Sequence, residues 1–142
     1  MIYSELGGKS PVFIDDTCNL ETAMKRLLWG KMLNLGQTCI APDYILCSSQ
    51  TQNKIVDLTR SIIKEWFGDS PKDSPDLCRI VSERHFDRLV GLINSSSGKI
   101  VHGKNLQGWV KELTPHVFTT YHVVKGGACQ FYCPTLYCLA NI

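Results

Sequence analysis

The sequence has no long hydrophobic run and very little net charge. No apolar stretch approaches the ~20 residues that a bilayer-spanning helix needs, so no such helix is expected. Fifteen Lys and Arg residues against thirteen Asp and Glu residues leave a net charge of +2, which is too small to indicate binding to nucleic acid or to a membrane surface. No basic N-terminal region precedes an apolar stretch, so no secretory signal is expected. The 142 residues, 44% hydrophobic and 20% charged, are typical of one soluble globular domain.

The cysteine content also excludes a class of protein. The chain has seven cysteines, whereas a secreted, disulfide-stapled domain normally has an even number in a loop-rich sequence. Four of the seven, Cys18, Cys39, Cys47 and Cys78, lie among helical and strand patterns. We therefore expect reduced thiols and a cytoplasmic location.

Hydrophobic periodicity predicts alternating strands and helices as far as residue 102. Two short apolar runs predict strands at residues 12–14 and 44–47. Apolar residues at helical spacing predict a helix from Leu20 to about Leu33, capped by Asn19, and further helices ending at Gly68 and starting after Ser82. A capping box is expected from Ser49 to Gln52, a surface loop at 69–76, a turn at 94–98 and a strand at 99–102. Trp29 and Trp66 are expected to be core-facing or half-buried.

This alternation predicts an α/β fold with an open, mostly parallel sheet and flanking helices. From Lys104 onward the apolar residues follow no period of 2 or 3.6, and no element is predicted there. We therefore divide the chain at Gly103, into residues 1–103 and a divergent C-terminal segment, residues 104–142. The segment is expected to be a replaced C-terminus, and the start is expected to be cut.

Two side chains in glycine-flanked segments carry the strongest chemical signal. Glu5 lies in Glu5-Leu6-Gly7-Gly8-Lys9, and Cys39, 34 positions later, follows Gly36-Gln37-Thr38. A cysteine thiolate is a strong nucleophile, and the thioester that it forms needs a base to activate water. A cysteine nucleophile and a carboxylate base would supply both functions.

These two segments resemble the catalytic motifs of the aldehyde dehydrogenase family. The run from Glu5 to Pro11 resembles the general-base motif, and the run from Asn34 to Tyr44 resembles the nucleophile motif. Its Ala-Pro-Asp-Tyr ending is most similar to the class three and fatty-aldehyde branch. The resemblance continues through Arg79-Ile80 and 84–86 to about Gly103.

The resemblance implies an oxidoreductase of aldehyde and lipid metabolism. Cys39 would attack a fatty or aromatic aldehyde, hydride would pass to NAD or NADP, and Glu5 would activate the water that hydrolyses the thioester. The Cys39 backbone N–H would be one oxyanion donor. The cofactor-binding residues are unknown, because the family's cofactor region lies before the base motif. The small-molecule aldehyde is the expected ligand, and the partner is a second copy of the chain or a full-length subunit. Full-length fatty-aldehyde relatives imply an endoplasmic reticulum membrane alternative to the cytoplasm.

Simpler interpretations stand beside these assignments. An isolated cysteine is more often a small buried hydrophobe, and an isolated glutamate is usually solvated. Asn34, Gln37 and Thr38 are expected to shape the loop around Cys39. Gly7-Gly8-Lys9 lacks the spacing of a phosphate-binding loop. Metal binding is not expected, because the spacing of Cys129, Cys133 and Cys138, with His116 and His122 upstream, is a weak metal signal.

Two alternative functions stay open. The chain could be a truncated, non-catalytic family member that lacks the cofactor region and that folds poorly or pairs with a full-length subunit. It could also be an unrelated small α/β binding domain that carries both motifs by chance.

Overall fold

The fold is an α/β layer structure with a five-stranded sheet. A computed structural model describes residues 1–3, 7–95, 99–102, 116–120 and 135–140. In chain order the strands and helices are β1 (Ser10–Phe13), α1 (Leu20–Met32), β2 (Pro42–Cys47), α2 (Ser49–Phe67), α3 (Glu83–Ser95), β3 (Lys99–His102), β4 (His116–Thr120) and β5 (Thr135–Ala140). A short turn lies at Leu33–Gly36 and a 3₁₀ turn at Pro71–Asp73.

The sheet has the strand order β1-β2-β5-β4-β3. Three of its four pairings, β1 with β2, β2 with β5, and β5 with β4, are parallel, and only β3 pairs antiparallel with β4. The predicted α/β class and mostly parallel sheet are therefore confirmed. The sequence predicted no element after Lys104, but β5 lies at the centre of the sheet and β4 beside it. Neither strand has the alternating pattern that predicts a strand from sequence, and strand pairing with distant segments supplies their hydrogen bonds.

Helix α1 connects the parallel strands β1 and β2. Asn19 caps it as predicted, since the Asn19 side chain accepts a hydrogen bond from the Thr22 backbone N–H at 3.0 Å. Its buried face includes Met24, Leu27 and Leu28. Trp29 points away from that face and is 66% exposed, so the expectation of a core-facing or half-buried Trp29 was wrong.

Helix α2 starts one residue earlier than the capping box predicts. Its N-cap is Ser48, whose hydroxyl accepts from the Thr51 backbone N–H, and Gly68 ends it with a φ of 72°. Helix α3 follows Ser82, whose hydroxyl accepts from the His85 backbone N–H at 3.4 Å. The turn predicted at 94–98 was wrong at its start, because α3 continues through Ser95. Residues 96–98 lie outside the described residues.

The core lies between the helices and the β1–β2 part of the sheet. Its apolar members are buried to 9% exposure or less and come from all three helices, from the strands and from the 77–80 segment: Ile14, Met24, Leu27, Leu28, Met32, Leu35, Ile45, Cys47, Ile55, Ile62, Leu77, Ile80, Leu89 and Ile93. Burial of each such side chain contributes about 1.5–3 kcal/mol. Leu35 and Ile80 matter most for the site, because each anchors a loop beside Cys39.

Candidate active site

Cys39 lies in the short loop between α1 and β2. It is exposed, and the loop closes behind it with a hydrogen bond from the Ala41 backbone N–H to the Thr38 carbonyl at 3.0 Å. Among the four cysteines whose side chains the structure describes, Cys18, Cys39, Cys47 and Cys78, none forms a disulfide. The thiol of Cys39 is therefore accessible to a small molecule.

The loop begins with three consecutive residues in the left-handed region. Asn34, Leu35 and Gly36 have φ values of 50°, 53° and 73°. Glycine adopts this conformation readily, but each of the other two residues there costs on the order of 1–3 kcal/mol. Leu35 is 1% exposed, and its burial offsets much of that strain. Helix α1, predicted to reach about Leu33, ends at Met32, and the chain has left helical geometry at Leu33.

Asn34 and Gln37 hold this turn together. The Asn34 Nδ2 group donates to the Gln37 carbonyl at 3.1 Å, and Gln37 Nε2 donates back to the Asn34 carbonyl at 3.0 Å. Gln37 Nε2 also donates to the Arg79 carbonyl, and Gln37 Oε1 accepts from the Val81 backbone N–H, each at 3.0 Å. These bonds support the expectation that Asn34 and Gln37 shape the loop around Cys39.

The segment that follows Glu5 packs directly against the Cys39 backbone. A Cβ atom built on Gly8 would lie 1.9 Å from the Cys39 carbonyl oxygen and 2.8 Å from its carbonyl carbon, so only glycine fits. Ser10 Oγ donates to the same oxygen at 3.5 Å. Glu5 itself lies outside the described residues. The close approach of Gly8 nevertheless places the chain three residues after Glu5 in contact with Cys39.

A buried lysine and a half-buried aspartate lie behind the loop. Lys31 on α1 is 2% exposed, although a lysine is almost never fully buried without a partner. Burial raises the pKa of Asp43, and the positive charges of Lys31 and Lys9 counteract that effect. Lys31 is thus close enough to Asp43 to attract its carboxylate. Sequence reasoning missed this pair, and the only signal was the position of Lys31 beside the apolar face of α1.

The remaining candidate residues give no further site. His85 is exposed on α3. Cys129, Cys133 and His122 lie outside the described residues, as do the side chains of His102, His116 and Cys138. Within the described ranges, no three His, Cys, Asp or Glu side chains are close enough together to hold a metal ion. No helix among the described residues has both the length and the hydropathy to cross a bilayer.

A dinucleotide phosphate needs backbone N–H groups that it can approach closely, and glycine-rich loops commonly provide them. The space beside Gly8 is taken by the Cys39 carbonyl, Gly30 faces the Pro42 ring, and Gly68 and Gly91 face open space. These four glycines do not form a phosphate cradle.

Comparison with known proteins identifies the family. The sequence pattern described as "Aldehyde dehydrogenase family" matches residues 1–122, past Gly103, where the motif resemblance ends. The chain is 48% identical over 99 residues to the mouse (Mus musculus) "Aldehyde dehydrogenase, dimeric NADP-preferring", which covers 70% of this chain and 21% of that protein. It is 46% identical over 115 residues to mouse "Aldehyde dehydrogenase family 3 member A2", covering 81% of this chain and 23% of that protein.

A solved structure agrees with both. The "Substrate bound state of Staphylococcus Aureus AldH" superposes with a TM-score of 0.87 at 32% identity, over 95% of this chain and 30% of that one. The chain therefore spans between a fifth and a third of the length of these three proteins. The motif resemblance, the family pattern and the fold agree: this chain belongs to the aldehyde dehydrogenase family.

Proposed function

We propose that this chain carries the nucleophile and the base of an NAD(P)-dependent oxidation of fatty or aromatic aldehydes to carboxylic acids. Cys39 is the nucleophile and Glu5 is the general base. One observation carries the proposal: the exposed Cys39 thiol follows a strained turn, and Gly8 of the base motif presses against the Cys39 carbonyl. This contact between Gly8 of the base motif and Cys39 of the nucleophile motif supports the assignment.

The steps assigned to this chain are thiol addition and thioester hydrolysis. The Cys39 thiolate forms a C–S bond to the aldehyde carbon, and the Cys39 backbone N–H stabilises the oxyanion that develops. The oxidation itself needs a hydride acceptor, which NAD or NADP supplies when it is bound. Glu5 takes a proton from the water that attacks the thioester carbon, and the C–S bond breaks to release the carboxylic acid and the thiol.

The names of the relatives support the substrate class and the cofactor. One relative is an NADP-preferring dimeric enzyme, so we propose NADP or NAD and pairing with a second copy or a full-length subunit. The exposed thiols of Cys18, Cys39 and Cys78 support a reducing, cytoplasmic location.

Hydrolysis of p-nitrophenyl acetate tests the two residues without a cofactor. The wild-type chain should hydrolyse the ester, and Cys39→Ala should reduce turnover to the background rate, whereas the matched Cys18→Ala change should leave it unaltered. Glu5→Gln should retain an initial burst of p-nitrophenol and lose steady turnover, because acylation would proceed and deacylation would stall. Equal turnover by wild type and Cys39→Ala, in folded samples, would refute the assignment of Cys39.

A non-catalytic role is the second candidate, and the lack of a phosphate cradle at Gly8, Gly30, Gly68 and Gly91 favours it. Trp29, Ile40 and Val81 are 66%, 78% and 76% exposed, so each is available for contact with a partner. Affinity capture with a full-length relative tests this role. Retention of the relative by a Cys39→Ala chain would support pairing without catalysis, and no retention would eliminate it.

A further inference from the structure

The side chain of Gln37 joins two segments that are far apart in sequence. Its Nε2 group donates to the carbonyls of Asn34 and Arg79, and its Oε1 accepts from the Val81 backbone N–H, all at 3.0 Å. A primary amide has two N–H donors and one carbonyl, so both donors and the carbonyl are engaged. Three bonds of ordinary length fix the amide plane and orientation.

The 77–81 segment, which the Gln37 side chain reaches, is anchored in the hydrophobic core. Leu77 and Ile80 are 5% and 2% exposed and belong to the hydrophobic core. Arg79 folds back on the same segment, since its NH1 group donates to the Leu77 carbonyl at 2.9 Å. The Gln37 amide therefore ties the Cys39 loop to a part of the chain that the core holds in place.

The turn at residues 34–37, which precedes Cys39, needs contacts that hold its backbone in place. Asn34 and Leu35 both have positive φ values, and strained backbone of this kind persists only where the surroundings hold it. The Asn34 carbonyl accepts from both the backbone N–H and the side chain of Gln37, while Leu35 is held by burial. Gln37 is thus the polar restraint on a turn that ends two residues before Cys39.

We propose that Gln37 is a positioning residue, and that its amide latches the Cys39 loop to the 79–81 segment. We define these three side-chain bonds as the Gln37 latch. The catalytic consequence rests on the proposed function of Cys39, but the latch itself does not. Because the polar atoms of Gln37 are engaged with protein groups, it acts through the position of Cys39 and does not transfer a proton.

The variant Gln37→Glu tests the latch with little change of shape. Its carboxylate cannot donate, so it places an acceptor oxygen against the carbonyls of Asn34 and Arg79, and both bonds are lost. The matched control is Gln50→Glu, which makes the same charge change at an exposed position of α2. Gln37→Met is a second variant, which removes all three bonds without adding charge.

Two readouts separate positioning from general destabilisation. In p-nitrophenyl acetate hydrolysis, we expect kcat to fall by about 10- to 100-fold in Gln37→Glu and Gln37→Met, since small displacements of a reacting group have effects of this size. KM should change by less than about threefold, because neither substitution removes a contact that binds the substrate in the ground state. Gln50→Glu should match the wild type. A kcat within twofold of wild type in either folded Gln37 variant would overturn the proposal.

Hydrogen exchange of the wild-type chain tests the latch without any variant or activity. Val81 is exposed and lies outside helices and strands, so Gln37 Oε1 is the partner that protects its amide. We expect slow exchange at Val81, and fast exchange there would overturn the latch even if the variants do not fold. If wild type and Cys39→Ala show equal turnover while the Val81 amide is protected, the proposed function fails and the latch stands.

Discussion

Substitution of Gly8 by alanine is the sharpest test of the contact between the two motifs. The added Cβ would lie 1.9 Å from the Cys39 carbonyl oxygen, 2.8 Å from the carbonyl carbon and 3.2 Å from the Cα. All three are backbone atoms, so no side-chain rotation relieves the clash. Ordinary van der Waals contact starts near 3.4 Å, and the two segments must therefore separate by about 1.5 Å.

That separation should lower both the free energy of unfolding and the rate of turnover. Overpacking of this kind costs typically about 1–3 kcal/mol of the free energy of unfolding. A displacement of about 1 Å at a reacting group lowers the rate by about 100-fold. We therefore expect Gly8→Ala to lose about 100-fold of the Cys39-dependent turnover of p-nitrophenyl acetate, while the far-ultraviolet circular dichroism spectrum is retained.

Gly91→Ala is the matched control, because a Cβ on Gly91 meets nothing within 4 Å. Gly91 lies within α3, where alanine is favoured over glycine by about 1 kcal/mol, so this variant should be more stable and equally active. Gly8→Ala turnover within twofold of wild type would show that the two segments do not meet as described. Equal losses in both variants would show that the assay reports overall stability only.

Three further predictions concern stability and ionisation. Ile55→Ala, at a site that is 0% exposed, should lower the free energy of urea unfolding by about 2–5 kcal/mol, and a loss below 1 kcal/mol would place Ile55 outside the core. Asn19→Ala removes the α1 cap and should lower the free energy of urea unfolding by about 1 kcal/mol. The control Asn53→Ala, on the exposed face of α2, should leave that free energy unchanged. The Thr17 hydroxyl and backbone N–H donate to Asp15 and hold its pKa below 3.8. This ionised carboxylate stabilises the folded state above its ordinary pKa, and that contribution is lost as pH falls through the lowered pKa. Thr17→Val should raise the pKa of Asp15 in an NMR titration. Asp43, whose pKa burial raises, should titrate above 3.8 in both proteins. An unchanged pKa of Asp15 would contradict the assignment.

Local sequence signals predicted most of the helices and strands up to residue 102. The helices after Asn19 and Ser82 and the strand at Lys99–His102 lie where periodicity and capping residues place them. These signals succeed because an N-cap bond spans only three residues and an apolar helix face repeats every turn. The Ser48 cap was misplaced by one residue because Ser48 and Ser49 are adjacent and chemically equivalent.

The C-terminal strands could not be predicted in this way. Strand β5 lies between β2 and β4, with Ile45 opposite Cys138 in the β2–β5 pairing. Strands of parallel sheets that are covered on both faces need not show alternating polarity, so the short apolar run at residues 135–140 is a weak local signal for a strand. Their assignment depends on pairing with a segment some ninety positions earlier in the chain.

The features of the candidate site also fall into those that local sequence indicates and those that depend on tertiary contacts. The sequence by itself determined the nucleophile and base motifs, the family and the mostly parallel α/β fold, because each depends on residue identities over short stretches. Tertiary structure alone decided that Gly8 presses on the Cys39 carbonyl and that Lys31 is buried near Asp43. It also decided that Gln37 reaches the 79–81 segment. These contacts join residues from about 12 to 44 positions apart, and only packing of the folded chain brings such residues together.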